Sequence, residues 1–289
     1  MGVVLLATAA GILFGALAVA VRAGLRRRPD AEVGALVVAL VGCVLAVIVA
    51  APVAAVEGVE PAGLWAFALV GAIVPGASQI LFVRAIRDIG ASRTAVLIGT
   101  APVLSAGLAI AFLDEPFRGA LAVATVAIVL GGVLLAWERE RPPGFRLVGA
   151  ALALAAAALF AVRDNVVRWA SLESGVQPLL AAAVSLAAAA LVLLVYLAAA
   201  RREPLGPLVR PAAGAFVPAG VCLGLAYIAL LLALDAGEVT VVAPLNATQS
   251  LWGVLLAAAF LPRAEAVGPR LVLAAVLVVV GGALVGATR

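Results

Sequence analysis

Ten runs of about twenty residues, each without a single charge, follow one another along this chain, and no other feature constrains its fold so tightly. They cover residues 3–21, 33–56, 61–83, 94–113, 119–137, 147–162, 174–200, 211–234, 239–262 and 271–288. A helix needs about 20 mostly apolar residues to cross a bilayer, and every run meets that length once the sixth continues through Arg163 and Asp164. Strands do not fit, because barrel strands alternate in polarity over about ten residues and these runs are uniformly apolar. Only helices then satisfy the backbone in lipid. The first run lacks a basic leader and is closely followed by a second, so it is expected to stay as a span.

Composition narrows the chemistry. Two thirds of the residues are hydrophobic (66%) and only 12% are charged, against about half and a quarter in a soluble domain. With no histidine, histidine-based acid–base catalysis and histidine-ligated metals are ruled out. Cys43 and Cys222 lie far apart in apolar stretches and read as small buried hydrophobes. No metal site and no cofactor is expected. The net charge of +4 does not imply a nucleic-acid partner, because the arginines are spread over short interhelical loops. The expected partners are the lipid bilayer and a small-molecule substrate.

Those arginines also orient the chain. Loops after odd-numbered spans carry Arg26, Arg27, Arg28, Arg84, Arg87, Arg93, Arg139, Arg141, Arg146, Arg201, Arg202, Arg210, Arg263 and Arg270. Loops after even-numbered spans carry only Arg118 and Arg168, and the end of the sequence adds Arg289. The positive-inside rule therefore places the odd loops in the cytoplasm and both termini outside a multi-pass plasma-membrane protein.

The chain repeats itself. Arg84–Gly90 before the fourth span matches Leu232–Gly237 before the ninth. Phe112-Leu113 matches Phe260-Leu261, Gly131-Gly132 matches Gly281-Gly282, Leu13-Phe14 matches Leu159-Phe160, and Arg22 matches Arg168. The offset stays between 146 and 150 residues. Residues 1–140 and 141–289 thus form two five-span repeats. An odd number of spans per copy inverts the second relative to the first, the architecture of secondary transporters that bind substrate between the repeats. The fold class expected is all-α integral membrane: ten transmembrane helices as two inverted five-helix repeats.

These motifs resemble the EamA-domain branch of the drug/metabolite transporter superfamily. The resemblance is carried by Ala101-Pro102-Val-Leu-Ser-Ala-Gly107 in the fourth span, Phe112-Leu-Asp-Glu115-Pro116 at its end, and Gly131-Gly132 in the fifth. It implies ten spans in two repeats and export of metabolites or amino acids, with proton coupling as one mode. The chain departs from the family pattern at Pro262-Arg263, where the first copy has Glu115, and in the outward termini that its arginines predict.

Polar residues inside the spans are the candidate site, because hydrocarbon penalises them. Arg163, Asp164 and Asn165 stand in the sixth span, where Asp164 and Arg168 are one turn apart and can pair. With no histidine in the chain, Asp164 is the one carboxylate inside a span able to carry a coupling proton, and Arg163 suits a substrate anion. Alternatively the group anchors a helix end by snorkelling. In the ninth span, Asn246, Gln249, Ser250 and Gly253 share a helical face after Pro244, with Trp252 placed to stack on a planar ligand; interhelical hydrogen bonding is the plainer role. Gln79 follows Pro75 by a turn, and Tyr227 lies near its repeat equivalent. Pro75, Pro102 and Pro244 are read as kinks for gating. Gly11, Gly15, Gly131, Gly132, Gly281 and Gly282 read as close helix contacts, and Gly286 with the last pair forms a small-residue seam suited to packing the two halves or a second protomer in a homodimer.

The expected function is alternating-access transport of a small organic solute, and not enzymatic catalysis. Two other classes are weighed against it. A lipid-modifying enzyme would need an interfacial cluster, for which the even loops offer Asp114, Glu115, Asp235 and Glu238 without a nucleophile–base pair. A channel would need a pore-lining ring. The absence of a Walker sequence excludes ATP hydrolysis by this chain.

Overall fold

A computed structural model describes residues 2–59, 61–113, 123, 127, 146–201, 204–261 and 268–287. The chain is a helical membrane protein. Among the described residues, seven helical runs are long and apolar enough to cross a bilayer, and they coincide with expected spans one to four and six to eight. The fifth expected span lies outside the described residues apart from positions 123 and 127, as do Asp114, Glu115, Gly131, Gly132, Pro262 and Arg263. The small-residue seam expected at Gly281, Gly282 and Gly286 falls where no side chain is described.

The helices are α1 (Gly2–Arg27), α2 (Ala31–Glu57), α3 (Leu64–Gly71), α4 (Ser78–Ile89), α5 (Ala91–Ile98) and α6 (Ala101–Phe112), with a π-helical stretch, Ala72–Ala77, between α3 and α4. They continue with α7 (Val148–Ser174), α8 (Pro178–Ala200), α9 (Leu205–Ala236), α10 (Val239–Asn246), α11 (Gln249–Phe260) and α12 (Pro269–Ala287). Local chemistry sets several ends. Asp30 caps α2, its carboxylate accepting from the amides of Glu32 and Val33 at 3.1 Å each, because the first helical N–H groups have no partner within the helix. Gly90, at φ 90°, turns the chain directly from α4 into α5, a conformation that glycine adopts at little cost.

The two halves of the chain interleave. α1 packs most extensively on α9 and also on α11, while α7 packs on α4, α5 and α6. α2 lies between α9 and α8. Close approach needs small residues: a side chain at Gly15 would meet the backbone nitrogen of Gly253 and Cβ of Trp252 at 2.8 Å, and one at Gly11 would meet Thr248 Oγ1 at 2.6 Å. The outer surface carries large apolar side chains such as Leu5, Ile48, Leu69, Leu191 and Val195, each more than half exposed. Exposure of this extent suits lipid and not water.

Helix ends sort onto two faces. On one, Arg201 pairs with Asp30 at 3.0 Å and Glu32 at 3.3 Å, Arg84 pairs with Glu32, and the Arg146 amide donates to the Asp88 carbonyl at 2.9 Å. The nearby charges of Asp30, followed by Glu32, raise the Arg201 pKa further. On the other face, Gln177 Nε2 donates to Glu57 Oε2 at 2.6 Å, the Gly63 backbone abuts Ser174, and Gly237 lies against Val3.

Candidate functional site

Three of the charge-free runs, the third, fourth and ninth, are broken, and the breaks border the same central residues. In the third, Val74 leaves helical geometry (φ −137°, ψ 113°) just before Pro75, which has no N–H to donate. The amide of Ser78 turns to the Ile73 carbonyl, and the Val74 carbonyl accepts the Tyr227 hydroxyl at 2.9 Å.

The fourth and ninth runs break alike. α5 and α10 each have 8 residues, α6 and α11 each have 12, and 148 positions separate Ala91 from Val239. Thr100 Oγ1 donates to the Leu97 carbonyl at 2.7 Å, and Thr248 Oγ1 to the Leu245 carbonyl at 2.8 Å. The amides before them, Gly99 and Ala247, donate to Ala95 and Ala243 at 3.0 and 2.9 Å. The expected proline kinks are relocated here. Pro102 stands in the first turn of α6, just after the break at Gly99-Thr100 and not in a helix interior, a position where a missing N–H costs nothing. Pro244 lies within α10, and the break opens beyond it at Ala247-Thr248.

Facing these breaks, near the midpoint of α7, is a buried ion pair. Arg163 Nε and Nη2 donate to the same oxygen of Asp164, Oδ1, at 2.9 and 2.8 Å. Ser105 Oγ donates to Asp164 Oδ2 at 3.4 Å. Both charged residues are only 3% exposed, so neither snorkels. The guanidinium carbon also lies 5.0 Å from the Phe160 ring centre, 5.8 Å from Tyr227 and 5.9 Å from Phe14, distances at which aromatic faces attract a cation. The pairing of Asp164 with Arg168 that helical spacing allows is not made. Arg168 Nη1 instead donates to the carbonyls of Leu234 at 3.1 Å and Asp235 at 2.7 Å, groups that a helix end leaves without intrahelical partners.

Two cavities flank Arg163. One lies between the two breaks and is lined by Ala101, Pro102, Ala243, Asn246, Ala247 and Gln249 together with Phe160, Arg163 and Asp164. The first turns of α6 and α11 open onto it, as does the last turn of α10, so helix ends of both signs meet there. The other is lined by Phe14, Leu17, Val74, Pro75, Gln79, Phe82, Phe160, Arg163, Leu223, Tyr227 and Gln249. The internal space is only about 10 Å³ in the first and about 20 Å³ in the second, room for about one water each, so this conformation is closed around Arg163 and holds no solute. Gln79 Nε2 and Asn246 Oδ1 are buried without a hydrogen-bond partner among the described residues, and buried polar atoms in this state need an explanation such as a ligand.

Five of the polar residues singled out in the sequence therefore line the cavities beside Asp164: Gln79, Arg163, Tyr227, Asn246 and Gln249. Three do not. Asn165 Nδ2 donates to the carbonyls of Ser105 at 3.0 Å and Ala161 at 2.9 Å. Ser250 Oγ donates to the Ala247 carbonyl at 2.9 Å, and Trp252 sits against Gly15. Phe14, Phe160 and Ser105 were not recognised, although the matched Leu-Phe pairs of the repeat marked both phenylalanines. Among the described residues, no group of three or more cysteine or acidic side chains is placed to hold a metal ion.

No curated protein matches the chain. A crystal structure described only as "Crystal structure of protein" superposes with a TM-score of 0.70 at 21% identity, over 98% of this chain and 94% of that one; this likeness is one of fold. The model of the EamA-like transporter family matches residues 1–137 and again residues 147–287. The chain is a multi-pass membrane protein that belongs to the EamA-like transporter family.

Proposed function

We propose that this protein is a secondary-active transporter that exports a small organic solute, a metabolite or an amino acid, across the plasma membrane by alternating access. Its ten spans form two inverted five-helix repeats. One observation carries the reading: two spans broken at equivalent positions face each other across a polar cavity that holds a buried ion pair. Half-helix termini aimed at a midplane site between repeats are a feature of secondary transporters. The inversion is supported by the helix ends, since α1 finishes on the face of Asp30 and Asp88 whereas α7 finishes on the face of Glu57 and Gly63.

In this reading Arg163 and the first turns of α6 and α11 receive an anionic group of the solute. Gln79, Asn246, Gln249 and Tyr227 provide the surrounding donors and acceptors. A proton reaching Asp164 neutralises its carboxylate and releases the Arg163 guanidinium to the substrate, which couples the two. The scaffold is symmetric but the charge is not, because Leu17 and Ala18 stand at the repeat positions of Arg163 and Asp164.

Counterflow in proteoliposomes tests the reading. Vesicles preloaded with the solute are expected to accelerate uptake of its labelled form. Flux that preloading leaves unchanged would identify a pore and overturn the carrier mechanism.

A further inference from the structure

Two arginines at repeat-equivalent positions make the same contact at opposite ends of the bundle. Arg22 Nη1 on α1 donates to the carbonyls of Ile86 at 3.2 Å and Arg87 at 3.1 Å, at the end of α4. Arg168 Nη1 on α7 donates to the carbonyls of Leu234 and Asp235, at the end of α9. The first contact lies on the face that holds Asp30 and Asp88, the second on the face where Gly237 meets Val3.

The packing shows what each contact joins. α1 is built into the bundle of α9 and α11, so Arg22 ties that bundle to α4. α7 is built into the bundle of α4 and α6, whereas α5 packs more on α11 than on α7, so Arg168 ties this second bundle back to α9. Each arginine thus bridges the same two bodies, one at each face. Each also meets carbonyls in the last turn of a helix, where a cation is favoured; Ile86 accepts the Gly90 amide at 3.0 Å as well.

We infer that Arg22 and Arg168 are the two gate latches of the transport cycle, one for each side of the membrane. Opening a face requires the bodies to part there, so that latch breaks while the other stays made. Both are made in this structure, and the cavities beside Arg163 are correspondingly small. The inference rests on the alternating-access reading, but it assigns positioning roles to residues outside the substrate cavities.

The test uses a reporter cysteine at Ala101, in the wall of the cavity between the breaks, with Cys43 and Cys222 replaced by alanine. Reconstituted protein is labelled with a membrane-impermeant maleimide from each side in turn. Arg22→Met is expected to speed labelling from the Asp30 face and Arg168→Met from the opposite face. The expected factor is about tenfold or more, the scale of losing a hydrogen bond to a charged group. Arg22→Lys and Arg168→Lys, which keep the charge, are expected to shift labelling in the same directions by a smaller factor, and they carry the test if a methionine variant does not accumulate. Acceleration from the same face in both variants, or from both faces equally, overturns the latches, because general loosening has no sidedness. Labelling needs no substrate. A protein that shows the two-sided pattern without counterflow sinks only the carrier reading, and one that exchanges solute without the pattern sinks only the latches.

Discussion

Arg163 directs two nitrogens at one oxygen of Asp164 and leaves the other oxygen to Ser105. The pair belongs to α7, whereas Ser105 belongs to the half-helix α6. The charge at the centre therefore reports directly on the position of a broken span, and four predictions follow from this arrangement and its surroundings.

Asp164→Asn and Arg163→Met are each expected to abolish counterflow while the protein still reaches the membrane. Each also leaves its partner buried and uncompensated, at a cost of about 3–5 kcal/mol. The double variant is expected to recover much of that stability without recovering transport. Thermal unfolding in detergent measures this, and a double variant no more stable than either single one would show that the pair is not coupled.

Tyr227→Phe removes the hydroxyl that the Val74 carbonyl accepts. The loss is expected to lower stability by about 1 kcal/mol, the usual net worth of one internal hydrogen bond. It also loosens the irregular stretch before Pro75, so exchange should slow without stopping. An unchanged melting temperature would mean that another group takes over the carbonyl.

Gly15→Val is expected to cost about 1–3 kcal/mol or more by overpacking, because backbone and Trp252 atoms lie within 2.8 Å of the new side chain. Gly107→Ala is the control. Among the described residues nothing lies within 4 Å of the added methyl, and a helical glycine replaced by alanine should gain about 0.5–1 kcal/mol. Membrane yield and melting temperature separate the two, and equal effects would refute the helix contact at Gly15.

The arginine bias predicts that a cysteine at Arg28, on the face of Asp30, is labelled by an impermeant reagent only from the cytoplasm. The same cysteine-free background serves. Labelling from outside intact cells alone would reverse the orientation.

Much of the fold was legible along the chain because hydropathy acts residue by residue. The seven long runs lie where charge-free intervals put them, and the repeat showed in short matched motifs. The site was legible in part. Gln79, Arg163, Asp164, Tyr227, Asn246 and Gln249 stood out because polar groups in apolar runs need a reason to be there. Asn165, Ser250 and Trp252 stood out for the same reason, yet their contacts are with backbone carbonyls or a helix neighbour. Sequence spacing does not separate a side chain that serves a ligand from one that serves the backbone.

The sequence by itself determined which segments enter the membrane, where the charged loops gather and that the chain is doubled, since these depend on local composition and order. Only the tertiary structure decided that Asp164 pairs with Arg163 and not Arg168, that the breaks open at Thr100 and Thr248, and that α1 and α7 pack into opposite halves. Spacing along a helix limits which neighbours a side chain can reach, but cross-helix partners compete for it. Arg168 finds the unsatisfied carbonyls at the end of α9, Arg163 finds three aromatic rings, and Asp164 is left to the nearer of the two cations.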